Sequence, residues 1–288
     1  MWLRYVAGQA LSVVFTLARL LPLQWSNHFS RSVIPRDGDV VISLTTHGRR
    51  LDTVFYAIES VARGPRRAPI VLWLDPQDFS APWPDSLRRL VARGLQVRCG
   101  SGGMGPHAKY WDMFCAVAGS DTRVVTIDDD IIYPEWFLDR LLAVGGLRED
   151  TVVAYRAHRI ELRDGVLLPY MKWTPANTSH ASVLHFATGV SGVDYPPSFI
   201  SFVVEQGTQF LQVAPRADDV WLHLCALRSG HSVRQVFAQP RNFAVVPSTQ
   251  VSALVRTNGM GGGNDEQIAR AYTPGDVAAL VAASARED

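Results

Sequence analysis

Cysteine, lysine and net charge are all scarce in this chain of 288 residues. Cys99, Cys115 and Cys225 stand far apart with no Cys-x-x-Cys pair. That excludes a disulfide scaffold and a structural zinc cluster and points to a reducing compartment, so a cytoplasmic location is expected. There the sequon Asn177-Thr178-Ser179 meets no glycosylation machinery. Basic and acidic residues number 28 and 27, leaving a formal charge of +1, and no nucleic-acid partner is expected from so even a balance. Lysine occurs only at Lys109 and Lys172, and arginine supplies the other basic residues. Low-complexity blocks and internal repeats are missing too, which argues against disorder and against a repeat array.

Long apolar runs are also lacking. Tyr5 to Ala18 is uncharged, but a spanning helix needs roughly 20 apolar residues, and Arg19 interrupts the run. Gln9, Ser12, Thr16 and Arg19 form a polar stripe opposite Leu3, Val6, Ala10, Val13, Val14, Leu17 and Leu21. Residues 1–30 are therefore predicted as an amphipathic helix with Trp2 and Trp25 near its ends. It either packs on the body or makes peripheral membrane contact through residues 2–25, at the inner face of the cell membrane. No small-x-small site follows the run, as a secretory signal would require.

What is present is a 47% hydrophobic chain, long enough for one domain with a large core. From Asp39 strands and helices alternate. Buried strands are predicted at residues 39–45, 69–74, 95–98 and 123–127, with helices between them at 51–62, 86–93 and 109–118 and a further one at 134–144. Beyond residue 150 a strand (152–155), a hairpin around Asp164-Gly165, a helix (219–228) and a strand (232–237) follow. This order predicts an α/β fold with a mostly parallel sheet flanked by helices. Such sheets bind ligands at the carboxyl ends of their strands, where this sequence places Thr45 and Thr46, Asp75, and Asp128 to Asp130.

The run Val124-Val-Thr-Ile-Asp-Asp-Asp-Ile-Ile-Tyr-Pro134 delivers three acidic residues to a strand end. Hard divalent cations take carboxylate oxygens, and Mg²⁺ or Mn²⁺ commonly uses one or two of them plus substrate phosphates. Side chains at i and i+2 of an extended segment share a face, so Asp128 and Asp130 are the predicted metal ligands and Asp129 points elsewhere. An acidic N-cap for the next helix would need one residue rather than three. Of the eight histidines, His107, His158, His180, His185 and His231 show no zinc spacing. His231 is either a third metal ligand or a surface residue.

The hydrophobic strand, Asp-x-Asp and Tyr-Pro resemble the nucleotide-sugar-dependent glycosyltransferases of GT-A (Rossmann-like) fold, in particular family-2-like bacterial members. Three further segments extend the resemblance over residues of about 40 to 230. Ile42-Ser-Leu-Thr-Thr-His-Gly-Arg49 is similar to the nucleoside-contacting first strand and loop. Gly105-Pro-His-Ala-Lys-Tyr110 lies where such enzymes carry a donor-binding segment. Ala217-Asp-Asp-Val-Trp221 is similar to the acidic pair that opens a helix in inverting members, although the Gln/Arg-x-x-Arg-Trp segment usual after that pair is missing.

The resemblance implies a metal-dependent transfer of a sugar from a nucleoside-diphosphate sugar, by family habit UDP-linked, to a hydroxyl of a glycan or glycolipid. It implies Asp219 as the base with Asp218 beside it, Asp128 and Asp130 on Mn²⁺ or Mg²⁺, and Thr45, Thr46, Arg49, Asp75, Lys109 and Asp129 toward the donor. An acidic first turn complementing the helix dipole would account for Asp218 and Asp219 equally. The segment His185 to Pro197 would lie beside sugar and acceptor, and Tyr170, Trp173 and Tyr195 are stacking or core aromatics. The expected layout is a catalytic domain over 39–250, split into a nucleotide-sugar half (39–145) and an acceptor half (146–250), followed by a flexible segment (251–288). Asn264-Asp265 would then belong to a closing loop. Two other readings compete. A nucleotidyltransferase would want more glycine after the first strand than Thr45-Thr-His-Gly-Arg-Arg50 offers, and a non-catalytic glycan-binding relative would tolerate the loss of Asp128, Asp130 or Asp219, all of which are present.

Overall fold

The computed structural model describes residues 18–146, 150–247 and 263–287. Its centre is a seven-stranded sheet. Strands β1 (Val40–Thr46), β2 (Ile70–Leu74), β3 (Gln96–Cys99), β4 (Arg123–Thr126), β6 (Thr151–Ala154) and β13 (Ser232–Gln235) all run parallel, and β12 (Val193–Tyr195) alone runs against them. The order across the sheet is β3-β2-β1-β4-β12-β6-β13.

Strand alternation sorts the core into two layers. Along β1 and β2, Val41, Val71 and Trp73 enter one layer, while Val40, Ile42, Leu44, Ile70, Leu72 and Leu74 enter the other. The same switch separates Val124 from Val125 and Val152 from Val153. Helices α1 (residues 18–29), α2 (Val54–Ala62), α3 (Pro76–Ser80), α4 (Asp85–Ala92), α5 (Trp111–Val117), α6 (Phe137–Gly145), α7 (Pro197–Glu205), α8 (Phe210–Val213) and α9 (Asp218–Ser229) follow in chain order. Residues of α5, α7 and α9 fill the first layer, and residues of α2, α4 and α6 fill the second. The mostly parallel sheet flanked by helices is the architecture expected from the alternating pattern.

Small strands complete the fold. β5 (Ile131–Ile132) pairs with β14 (Ala244–Val245), β10 (Thr174–Pro175) and β11 (His185–Ala187) flank β7 (Ala157–Arg159), and β8 (Leu162–Arg163) forms a hairpin with β9 (Val166–Leu167). Its turn holds Asp164 at φ 50° and Gly165 at φ 77°, the left-handed pair that a two-residue hairpin loop needs.

Two features depart from the sequence reading. No strand was predicted between His185 and Pro197, the segment that carries β12, because three residues with a central aspartate give no strand signal. Asp194 is fully buried, and Arg123 of β4 donates to both of its oxygens at 3.1 and 2.7 Å, fastening β12 beside β4. Residues 263–287, expected within a flexible segment, instead form helices α10 (Gly263–Ala271) and α11 (Pro274–Glu287), whose Ile268, Ala271, Leu280 and Ala283 are buried. The rest of that segment, 251–262 and Asp288, lies outside the described residues.

α11 begins with a reciprocal cap in Thr273-Pro-Gly-Asp276. The Asp276 carboxylate accepts from the Thr273 N–H (2.8 Å) and hydroxyl (2.7 Å), and Arg228 of α9 clamps it at 3.0 and 2.8 Å. Burial alone would raise the Asp276 pKa, but the Arg228 and Thr273 hydrogen bonds outweigh it and hold the carboxyl at about 2 against an ordinary 3.8. A depressed carboxyl stabilises the fold above the ordinary value and loses that contribution as pH falls toward 2. Asp276→Asn is expected to cost about 1–2 kcal/mol at pH 7 in urea unfolding, and the gap to wild type should narrow as the pH is lowered from 4 to 3.

Candidate active site

The carboxyl ends of the parallel strands gather the charged groups. After β4 the chain turns through Asp128-Asp129-Asp130, and this turn is firmly held. The Asp128 N–H donates to the Tyr133 hydroxyl (2.9 Å), the Tyr133 N–H donates to the Ser60 hydroxyl (2.9 Å), and the Val246 N–H donates to the Asp130 carbonyl (2.8 Å). Asp129 is buried, with one oxygen accepting from the Thr46 hydroxyl at 2.6 Å and the other from Arg50 at 2.7 Å. Arg50 also lies 3.4 Å from Asp130. Asp129 and Asp130 thus share one guanidinium, and both Asp129 and Thr46 are spent on holding the loop.

α9 runs back against the strands, so its first turn brings Asp218 and Asp219 to this same edge. β12 runs against its neighbours for an equivalent effect: the loop before it, Thr188 to Gly192, falls beside Asp219. The Gly189 N–H donates to Asp219 Oδ1 at 2.8 Å. A Cβ on Gly189 would lie 2.5 Å from Lys109 Nζ and 3.0 Å from Asp219 Oδ1, so backbone approaches here as closely as glycine permits.

Lys109 joins the two halves. Its ammonium lies 2.8 Å from Asp218 Oδ2 and 3.6 Å from Asp128 Oδ1. Its carbonyl accepts from the Ser43 hydroxyl (2.7 Å), which in turn accepts from the Trp73 indole N–H (3.1 Å). Burial would lower the lysine pKa, but Asp218, Asp128 and Asp219 together hold it well above its ordinary 10.5. The carboxylates respond in the opposite sense. Asp128 is pushed up to about 6 by burial, with Asp130, Asp218 and Asp129 adding to the rise and Lys109 resisting it. Asp219 is pushed up to about 7 by burial and by Asp218, against Lys109 and the Gly189 N–H.

Five carboxylates thus share the cations Lys109 and Arg50. Among the described residues no three His, Cys, Asp or Glu side chains form a ready-made cation cage. The donor set of Asp128 and Asp130 suits the other mode, in which substrate phosphates supply the remaining oxygens, and the surplus negative charge that raises Asp128 is what a divalent ion would relieve.

The other expected residues divide. Thr45 donates to the Trp73 carbonyl within the sheet (3.0 Å). Asp75 stands half-buried at the start of α3. Arg49 is exposed, and its neighbour Arg50 reaches the carboxylates. Residues Gly48–Asp52 form a 3₁₀ turn in which successive side chains diverge, a one-residue distinction that no sequence pattern carries. His107 is buried between the Tyr110 hydroxyl and the Ala214 carbonyl, both at 2.8 Å. His231 is buried against Ser198 and Ser229 at 2.9 and 2.7 Å. Trp173 and Tyr195 belong to the core. Tyr170 is half-buried, and its pKa is pushed up to about 12 by burial and by Asp219, with Arg156 opposing. Its N–H donates to Asp265 of α10 at 2.7 Å, so Asn264-Asp265 belong to a packed helix start. Ser43 and Arg50 escaped the sequence reading because a buried serine and a second arginine resemble ordinary structural residues, and Tyr133 was read only as part of the Tyr-Pro pair, not as the support of the acidic turn.

Comparison with protein families and with curated proteins by sequence finds no match. Comparison with solved structures finds S. aureus TarS 1–349 in complex with UDP-GlcNAc, at 13% identity and TM-score 0.45, covering 71% of this chain and 57% of that one. GalNAc-T7 with UDP, GalNAc and Mn²⁺ aligns at 10% identity and TM-score 0.46, covering 74% and 44%. The 4-diphosphocytidyl-2C-methyl-D-erythritol synthase of Anaerococcus prevotii aligns at 14% identity and TM-score 0.44, covering 72% and 87%. The chain spans 59% of the length of TarS 1–349.

Removing Lys109 leaves buried carboxylates without their cation, a loss that typically costs 3–5 kcal/mol. Lys109→Met is expected to destabilise the protein by about that much at pH 8. The deficit should shrink toward pH 5, where the raised carboxyls take up protons instead; chemical unfolding at the two pH values measures both. Gly189→Ala should lower the melting temperature as well, because the ammonium that would have to move is pinned on two sides.

Proposed function

We propose that the chain is a metal-dependent, inverting glycosyltransferase of GT-A type that moves a sugar from a nucleoside-diphosphate donor to a hydroxyl of a glycan or glycolipid. One observation carries this reading: Asp219, with its pKa pushed up to about 7, opens α9 beside Asp218, whose lysine partner also reaches the strand-end carboxylate Asp128. A general base works best with a pKa near the operating pH. Displacement at an anomeric carbon needs that base on the acceptor and positive charge on the leaving diphosphate.

Asp219 takes the proton of the acceptor hydroxyl, the freed oxygen forms the new bond to the anomeric carbon, and the bond to the diphosphate oxygen breaks with its electrons staying on the nucleoside diphosphate. The Gly189 N–H fixes the orientation of the base carboxylate. Asp218 keeps Lys109 in place, and Lys109 supplies fixed positive charge between donor and acceptor sides. Asp128 and Asp130 would hold Mn²⁺ or Mg²⁺, which when bound contributes Lewis-acid stabilisation of the departing diphosphate. Arg50 turned onto Asp129, and a loop after β1 with Gly48 as its lone glycine, disfavour nucleotidyl transfer, which would want that loop around a triphosphate.

Thermal unfolding with UDP, GDP and CDP, each with Mn²⁺ and with EDTA, tests the donor side. A ligand at 100 times its Kd adds about 2.7 kcal/mol, so one nucleotide should raise Tm by several degrees only with metal, and Asp130→Asn should abolish the rise. A shift that persists in EDTA would remove the metal from the reading, and no shift with any nucleotide would remove the donor.

The base is tested separately. Asp219→Asn should keep the nucleotide shift while lowering transfer by roughly 10²–10⁴-fold. The wild-type rate should climb with pH through about 7 as Asp219 loses its proton. Asp218→Asn, which removes the neighbouring negative charge, should move that climb to lower pH. Nucleoside diphosphate as the released product, rather than pyrophosphate, separates this reaction from nucleotidyl transfer.

A further inference from the structure

Helix α1 is built the wrong way round for a helix whose only neighbour is protein. Its inward contacts are largely polar. Ser26 and Asn27 donate to the two oxygens of Glu59 (2.8 and 3.2 Å), Asn27 also donates to the Ser86 carbonyl (3.0 Å), and Arg89 donates to Asn27 (3.0 Å). Arg93 neutralises Glu59 at 2.5 Å. Leu23 is the fully buried apolar anchor, packed with Ile132 and Val246.

Outward, one turn apart, stand Leu21, Trp25 and Phe29 with Val33 just beyond the helix, at 62, 64, 67 and 66% exposure. Residues four apart lie above one another on a helix, so these side chains form one continuous apolar ridge. Within the described residues Trp25 and Phe29 touch each other, with ring centroids 5.6 Å apart, and no protein surface covers them. Large exposed apolar side chains in a row mark a surface that another phase or molecule covers.

The charge beside the ridge identifies that phase. Residues 1–36 contain no aspartate or glutamate and carry Arg4, Arg19, Arg31 and Arg36. Arg66 and Arg67 line the same cleft as Val33, and Arg67 donates to the Val33 carbonyl at 3.4 Å. An apolar ridge with an interfacial tryptophan and a basic border suits a bilayer bearing anionic headgroups, where insertion and electrostatic attraction add.

We propose that Leu21, Trp25, Phe29 and Val33, bordered by Arg31, Arg66 and Arg67, seat this protein on an anionic lipid surface. The ridge lies later in the chain than the contact expected at residues 2–25, most of which is outside the described residues. Because Leu23 packs on Ile132 and Val246, next to the Asp128–Asp130 turn, the membrane plane would run past the candidate site. The proposal stands whether or not that site transfers a sugar. Among the described residues no helix is long and apolar enough to cross a membrane, so contact here is with one leaflet.

Flotation of the full-length protein with vesicles of phosphatidylcholine alone, and with one quarter phosphatidylglycerol, tests it. Binding is expected to the second kind, weakening as salt is added. The double variant Trp25→Ser, Phe29→Ser and the double variant Arg66→Gln, Arg67→Gln should each weaken binding on the order of tenfold or more while keeping the wild-type melting temperature. The arginine pair alone suffices should the first variant fold poorly. Absence of binding to either vesicle, equal binding to both, or binding untouched by the variants would overturn the proposal. So would a dimer in analytical ultracentrifugation that dissociates in the Trp25, Phe29 variant while vesicles float without protein, since a second copy would then own the ridge.

Discussion

A single buried ammonium holds the candidate site together. Lys109 stands between Asp128, delivered by the central strand β4, and Asp218, delivered by the first turn of α9. Without it, two carboxylate clusters from distant parts of the chain would meet in a poorly solvated space and repel. Repulsion of that kind is strong at short range in low dielectric, and without the cation the carboxyls relieve it only by taking up protons. The backbone of Lys109 is itself fixed by Ser43 from β1, which is tied to Trp73 of β2. The cation is thereby positioned by three strands and positions a helix in turn.

The reversed strand β12 supplies the second constraint. In an all-parallel sheet every loop entering a strand lies at the amino edge, away from the ligand side. Because β12 is antiparallel to β4 and β6, the Thr188–Gly192 loop arrives on the same side as Asp128 and Asp219. There the Gly189 N–H reaches a carboxylate oxygen at 2.8 Å. The buried pair Arg123–Asp194 holds so short a strand in place, and Gly145 leaves the room it needs: a Cβ there would stand 1.9 Å from Asp194 Oδ2.

Electrostatics and stability pull against each other here. Burial raises Asp128 and Asp219 toward neutral pH, which destabilises their charged forms in the folded chain and at the same time suits Asp219 to the role of base proposed for it. Structure elsewhere compensates. Asp276, held low by Arg228 and Thr273, secures α11 to α9, and Gln267 of α10 accepts from the Arg216 N–H at 2.8 Å just before the acidic pair. The C-terminal helices therefore brace the segment that presents Asp218 and Asp219.

The α/β class, six of the seven central strands, helices α2, α4, α5, α6 and α9 and the acidic turn at Asp128–Asp130 were legible in the sequence, because apolar period and turn residues are local signals. So were Asp219 and Lys109 as candidates, through residue type and order along the chain. The antiparallel sense of β12 was not, since three residues with a central aspartate carry no periodicity and their direction is set by Arg123, some seventy residues away. Nor was the choice of Arg50 over Arg49, which rests on the rotation of one 3₁₀ turn, or the withdrawal of Asp129 onto Thr46. The two C-terminal helices were read as a loose segment because their caps and apolar faces act against distant parts of the chain, α9, α8 and β9. Local pattern determined which elements form and where acids and bases stand along the chain. Which side chains meet, and which are spent on holding others in place, was decided in three dimensions, where burial and charge act between residues that the sequence keeps far apart.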